Sequence, residues 1–458
     1  MQRRVGWSAL IGLATAATVG GLWLASPRDD QADGPAAPVD GVVIVAPDPV
    51  PWGDITWERL DPPSMGGRLS QSPTAIEQVP GGFIVLGSDA DGIDGAEQQV
   101  GTIWTSSDGR SWEQDRITDG VPPGDIAEPR LAAGGPGGVL VAGGICCSME
   151  GPAMWLAQGV GPLERVQLPP AVRNAWFTDI EAGPPGFVVV GATKAGDPND
   201  PDFTGAIWTS PDGVEWSTVD PVAAGLVPGT VDDVTWTGRD WIAVGKHDDG
   251  KTSDGAVWRS DDGVTWRRIA LDDPAITGPE EESLTRVVSL ADGGLFAQGG
   301  SGTHDDRVAC ENLLGDVVGV PGASLVLSCG WEIETHWTSP DGRTWTRAPA
   351  VAAPFDGPPL PPAPGGRRLI SHRALAPGGP GLVVVDAEGT TPEGHDLVGT
   401  WVSGDGATWR PVGEAGQIPG AYLQDLVVTG RTIVGIAERV TGNADRSEIA
   451  VWVGTVRP

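Results

Sequence analysis

The sequence predicts an all-β fold: a seven-bladed β-propeller closed by an N-terminal strand and preceded by one transmembrane helix. Three observations predict it. The stretch GAIWTSPDGVEWSTV, Gly205 to Val219, reads as a strand ending in Trp208, a turn at Pro211-Asp212-Gly213 and a second strand opening with Trp216. Versions of this hairpin return as GTIWTSSDGRSWEQ from Gly101, GAVWRSDDGVTWRRI from Gly255, THWTSPDGRTWTRA from Thr335 and GTWVSGDGATWRPV from Gly399. Secondly, the first tryptophan of each hairpin recurs at Trp104, Trp155, Trp208, Trp258, Trp337, Trp401 and Trp452, with gaps of 51, 53, 50, 79, 64 and 51 residues. Thirdly, an apolar strand precedes each, as in GFIVLG from Gly82, GVLVAG from Gly138 and GFVVVG from Gly186. Trp, Val, Ile and Thr suit a pleated half-buried surface, Asp-Gly suits a tight turn, and strand-built self-similarity at this period marks a propeller or solenoid.

Taken in order, the chain opens with Arg3 and Arg4 and then an uncharged, mostly apolar run from Val5 to Ala25. As a helix that run would span ~31 Å, about the thickness of a bilayer's hydrocarbon core. Trp7 and Trp23 stand near its ends, and the arginines would hold the N-terminus in the cytoplasm, leaving the rest of the chain outside. A cleaved signal peptide is the rival reading, against which Trp23 occupies the place three before a cut after Ala25, where a small residue is wanted. Residues 1–25 are therefore read as a membrane anchor or signal segment, which makes the chain a single-pass membrane protein with an extracytoplasmic domain, or a secreted protein if the segment is cleaved. Residues 26–52, rich in Pro, Asp, Ala and Gly, read as an extended linker. Residues 53–458 form the propeller.

The seventh unit stops at AVWVGTVRP, before a final strand can be made. GDITWERL, Gly53 to Leu60, matches DGVTWRRI, Asp262 to Ile269, in its Thr-Trp-x-x-aliphatic core. Trp57 and its neighbours are thus expected to pair with the strand holding Trp452 and remove an exposed sheet edge. Charge excludes one large function class: 61 Asp and Glu against 29 Lys and Arg leave a net −32, a surface that repels nucleic acid.

The segments TSSDGRSW, TSPDGVEW, RSDDGVTW, TSPDGRTW and VSGDGATW resemble the Asp-box, or BNR, repeat of sialidase-like propellers, in a shortened form with Asp and Gly adjacent. Asp108, Asp212, Asp262, Asp341 and Asp405 are read as turn formers that accept backbone N–H groups, not as catalysts. The resemblance implies that these hairpins lie on the face away from the substrate. Function is then expected at the opposite mouth, built from the starts of the innermost strands and the loops between second and third strands.

Aligning the innermost strands by the residue before their apolar run gives Ala75, Arg130, Asp179, Asp233, Arg286, Arg373 and Asp425, six of the seven charged. This column is read either as compensating ion pairs or as an anion subsite made by the arginines. Sialidases use three arginines, a Tyr nucleophile with a Glu partner, and an Asp acid. By that resemblance Arg130, Arg286, Arg373, the lone tyrosine Tyr422, and Asp179 or Asp233 would supply the set, although the family's Arg-Ile-Pro motif is absent and the sequence places no Glu clearly beside Tyr422.

The loops between second and third strands are acidic, and a divalent cation is the cofactor they allow: Asp89, Asp91 and Asp94 as carboxylate ligands, or His247, His304 and His395 beside Asp248, Asp305 and Asp396. Solvated loop residues are the competing reading. Cys310 and Cys329 bracket much of an insertion and are expected to form a disulfide in an oxidising compartment. The adjacent Cys146 and Cys147 either form a vicinal disulfide or stay free. The reading that follows is a non-catalytic module binding an extracytoplasmic protein or glycan, with a sialidase-like glycoside hydrolase as the alternative.

Overall fold

The computed structural model describes residues 55–456, apart from 67–69, 94–95, 148–150, 159–160, 173, 185, 195–202, 249–252, 279–280, 303–332, 349–373, 379–380, 391–395, 408, 412–417, 420–421 and 441–446. The expected anchor and linker, the Cys310–Cys329 pair, and Asp94, His304, His395 and Arg373 lie outside the described residues. Among the described residues no helix is long and apolar enough to cross a membrane.

The chain is an all-β propeller. Strand β1 (Ile55–Leu60) comes first. Then β2 (Gln71–Val79), β3 (Gly82–Ile93), β4 (Ala96–Ser106) and β5 (Glu113–Arg116) form one antiparallel sheet in chain order. The next is β6 (Ile126–Gly135), β7 (Gly138–Cys146), β8 (Gly151–Ala157) and β9 (Glu164–Arg165). Strands β10 (Ala175–Gly183), β11 (Gly186–Lys194), β12 (Phe203–Ser210) and β13 (Ser217–Thr218) form a meander of the same plan, as do β14 (Gly229–Trp236), β15 (Trp241–Asp248), β16 (Ser253–Ser260) and β17 (Arg267–Ile269). These two are joined by one parallel bridge, Thr204 to Gly229. After them come β18 (Glu281–Ser289), β19 (Leu295–Gly302), β20 (Ile333–Ser339) and β21 (Thr346–Arg347), and then β22 (Ala374–Gly378), β23 (Gly381–Thr390), β24 (Asp396–Ser403), β25 (Trp409–Pro411) and β26 (Ile418–Pro419). The last sheet runs β27 (Tyr422–Thr429), β28 (Thr432–Val440), β29 (Ser447–Val456), with β1 on its outer edge. Trp57 stands opposite Gly454 and Arg59 opposite Trp452, so the N-terminal strand completes the C-terminal sheet as its sequence indicates.

The recurrent tryptophans hold adjacent sheets together. Trp155 of β8 packs with Ile84, Leu86 and Ile103 of the sheet before it, and Trp208 with Leu140, Ala142 and Met154. Trp258 packs with Val188, Val190 and Ile207, and Trp337 with Ile242, Val244 and Val257. The series returns to its start, because Trp104 of the first sheet packs with Val434, Ile436 and Val451 of the last. Burying so large a ring also buries its N–H, which needs an acceptor. Trp104, Trp155, Trp258 and Trp337 donate theirs to the carbonyls of Ser64, Asp119, Gly225 and Ala275, in segments outside the strands.

The five Asp-Gly turns share one design. In the turn after β4, Gly109 N–H donates to Ser106 Oγ, while Arg110 and Ser111 N–H both donate to Asp108 Oδ1. The same bonds recur around Asp212, Asp262 and Asp341. Around Asp405, Gly406 N–H donates to Ser403 Oγ and Ala407 N–H to Asp405 Oδ1. Each turn glycine has a φ between +69° and +82°, the left-handed region that a side chain resists. The second tryptophan then donates its N–H to that glycine's carbonyl, as Trp266 does to Gly263 at 2.9 Å.

Two expectations need correction. The sequence puts Asp89, Asp91, His247 and Asp248 in acidic loops, but β3 and β4 pair from Phe83–Ser106 out to Ile93–Ala96, and His247 and Asp248 pair with Asp254 and Ser253. Backbone ladder bonds extend these hairpins despite their charged side chains. The second correction concerns the inner column. Each inner strand described at this level carries a one-residue bulge, between Pro73 and Ala75, Pro129 and Leu131, Phe177 and Asp179, Val231 and Asp233, Leu284 and Arg286, and Leu423 and Asp425. In the second sheet the bulged residue is Arg130 itself, so the residue in register with Asp179 is Leu131. By the same count from the hairpin, Ala374 rather than Arg373 holds that position on β22.

Candidate functional site

Inner strands that carry a bulge turn the residue after it toward the neighbouring sheet, because the extra residue twists the strand locally. That places Asp179, Asp233, Arg286 and Asp425 together along the inner strands, all buried. Three of them perform one task. Asp179 Oδ2 accepts Val234 N–H at 3.0 Å, Asp233 Oδ2 accepts Val287 N–H at 2.6 Å, and Asp425 Oδ2 accepts Ile76 N–H at 3.0 Å. In each case the donor belongs to the next inner strand around the propeller. The sequence expectation of a ring of ion pairs is thus replaced by carboxylates bonded to backbone amides.

Charge in this site is lopsided. Burial pushes the Asp179 and Asp233 carboxyls up, and Asp233 most clearly, because the neighbouring Asp179 charge adds to desolvation. The two buried carboxyls are close enough for their charges to oppose one another, an arrangement that favours one of them keeping its proton. Burial likewise raises Asp425 to about 7. Arg286 pulls all three back down. Its Nε and Nη2 meet no acceptor among the described residues, although the side chain is only 8% exposed. A buried guanidinium with two donors unmet among the described residues, beside buried carboxyls raised by burial, can bind a polar group.

Sequence reasoning missed three acidic neighbours. Glu181, two residues past Asp179 on the same strand face, is raised well above the ordinary range by burial and by Asp179. Glu77 occupies the same offset from Ala75 and is also buried. Asp232, the bulge residue beside Asp233, is raised to about 6 by burial, with Lys246 and Thr230 opposing. Their signal in the sequence is the alternation Asp179-x-Glu181, which an alignment using one position per unit does not read.

The other expected residues scatter. Arg130 is half-exposed and paired with Glu128 at 2.7 Å. Asp89 accepts Gln114 Nε2 at 2.9 Å and lies 3.5 Å from Arg116 Nη2. Asp91 lies in β3, and His247 lies in β15, where it pairs with Asp254. Among the described residues no group of three or more His, Cys, Asp or Glu is arranged to hold a metal ion. Tyr422 opens β27 and stands directly opposite Glu438, a partner the sequence alone does not reveal. Glu438 Oε2 also accepts Ser72 Oγ at 3.2 Å.

No family model matches the chain, and no curated protein matches it. Solved structures do. A sialidase from Trypanosoma rangeli in complex with the inhibitor DANA is 13% identical, with a TM-score of 0.39, over 87% of this chain and 59% of that one. An α-L-arabinofuranosidase from Fusarium graminearum is 13% identical, with a TM-score of 0.38, over 87% of this chain and 97% of that one. The β-propeller domain of the Trilobed protease from Pyrococcus furiosus is 9% identical, with a TM-score of 0.46, over 85% of this chain and 98% of that one.

Proposed function

We propose that the chain is a seven-bladed, membrane-anchored propeller displayed outside the cytoplasm, which binds a protein or glycan without transforming it. The blade count is supported by the eight-stranded sheet, which divides at its single parallel bridge into two four-strand units, and by seven apolar clusters between successive units. The anchor rests on the uncharged run from Val5 to Ala25 behind Arg3 and Arg4. It is tested by protease treatment of intact cells, which should digest the propeller and spare a membrane-bound stub.

One observation carries the binding role. Asp179, Asp233 and Asp425 each hold a backbone amide of the next inner strand, so the acids best placed for catalysis serve the scaffold. A sialidase-like hydrolase is the second reading, favoured by the cross-strand register of Tyr422 and Glu438. The two separate in one experiment. The binding role expects saturable capture of immobilised glycans or envelope proteins with no release from fluorogenic sialosides or arabinofuranosides. Turnover that vanishes in Tyr422→Phe and Glu438→Gln would establish the hydrolase instead.

A further inference from the structure

Cys146 closes β7 and Cys147 follows it, and both thiols are free. Cys146 is half-buried and Cys147 exposed. Opposite them on β6, Ile126 pairs with Cys146 and Glu128 with Gly144, so Glu128 and Cys146 share one sheet face two residues apart. The Cys147 thiol and the Glu128 carboxylate are both near enough to the Cys146 thiol to act on its charge, and Glu128 is itself paired with Arg130 at 2.7 Å. Cys147 also has a φ of +100°, a conformation that a residue with a side chain adopts only where its surroundings impose it. Two thiols adjacent in the chain, a carboxylate on the same sheet face and a strained backbone thus meet at one accessible point.

The geometry points to Cys146 and Cys147 as a dithiol that exchanges with small-molecule disulfides and closes reversibly into a vicinal disulfide. Exposed Cys147 attacks first, as its thiolate: its sulfur bonds to one sulfur of the incoming disulfide, and the other leaves as a thiolate. The Cys146 sulfur then attacks Cys147 Sγ in the mixed disulfide and expels the second thiolate. The Cys146 proton passes to the expelled thiolate. The two protein thiols lose two electrons in total, and the disulfide gains them to become two thiols. Burial, with help from Cys147 and Glu128, pushes the Cys146 thiol up to about 12 and keeps it protonated, which leaves the first attack to exposed Cys147 and makes ring closure the slower step.

The test is a titration of the reduced full chain with glutathione and glutathione disulfide over a range of ratios, quenched by alkylation and read by peptide mass. The expected product is a Cys146–Cys147 peptide lighter by two hydrogens, free of glutathione and restored by dithiothreitol. Cys146→Ser should trap glutathione on Cys147, and Glu128→Gln, which removes a charge opposing the Cys146 thiolate, should shorten the life of that adduct where both thiols are kept. A glutathione adduct that persists on unsubstituted Cys147, a link from either thiol to Cys310 or Cys329, or thiols still reduced in excess glutathione disulfide would overturn the proposal. The decisive readout is on the unsubstituted chain, so it does not depend on how the variants fold.

Discussion

At Asp262 one carboxylate organises a whole turn. It accepts Val264 and Thr265 N–H at 2.9 and 2.6 Å and positions Ser260 Oγ at 2.9 Å. Asp262→Ala should therefore cost about 1–2 kcal/mol in chemical denaturation, as the loss of a capping side chain does elsewhere, and a melting curve that does not move would refute this role. Backbone N–H bonds hold the Asp108 and Asp212 carboxyls below the ordinary carboxylate value of 3.8, and Asp262 and Asp341 are lowered by the same kind of bond against burial. For a lowered group the stabilisation is complete above that value and disappears as pH falls through the folded one. The turns should loosen together in acid, read as a steep loss of stability below about pH 4. These turns are legible in the sequence because the bonds made by the serine and aspartate side chains and by the tryptophan N–H span three residues or fewer, so Ser-x-Asp-Gly-x-x-Trp contains that device.

Elements are less legible where strands depart from simple alternation. The pairing of β1 with β29 follows from the likeness of GDITWERL to DGVTWRRI, and Ile55, fully buried in the cluster with Trp452, shows what that pairing protects. Ile55→Ala should cost about 2–4 kcal/mol by large-to-small loss in a packed core. Removing residues 53–60 should leave β29 as an open edge and the chain aggregating; a deletion that melts like the full chain would remove β1 from any structural role. The bulges, by contrast, leave no mark that alternation can reveal. At Pro129-Arg130-Leu131 the polar residue before the apolar run is the extra one, and counting back from the run takes Arg130 for the inner-column residue when Leu131 holds that register. The same one-residue slip assigns the column to Arg373 in place of Ala374. A bulge is fixed by the partner strand and its twist, which lie in another part of the chain.

The whole molecule depends on a seam between its first and last sheets. On the outer side it is closed by β1 beside β29. On the inner side Asp425 Oδ2 accepts Ile76 N–H at 3.0 Å, Oδ1 accepts Leu426 N–H at 2.9 Å, and Ser447 Oγ donates to the Gln71 carbonyl at 2.9 Å. No spacing in the sequence announces a contact between residues 349 positions apart; it exists because the propeller brings the ends of the chain together. Asp425 also gives this seam a pH dependence. Burial raises its folded value from 3.8 to about 7 against the pull of Arg286, so its contribution is complete below the unfolded value and is lost as pH rises through the folded one. Between about pH 4 and pH 7 that single group should steepen the decline of stability by up to about 1.4 kcal/mol per pH unit. Asp179, Asp233 and Glu181, also raised by burial, incline the curve the same way, so the diagnostic quantity is a difference between proteins. Asp425→Asn loses one acceptor, because its amide nitrogen cannot take an N–H, and should be less stable than the unsubstituted chain at pH 4 by about 1–2 kcal/mol. That deficit should shrink and then reverse as pH approaches 8, when the unsubstituted protein must hold a buried carboxylate and the variant a neutral amide. Parallel stability curves for the two proteins across this range would show that the seam carries no titrating carboxyl.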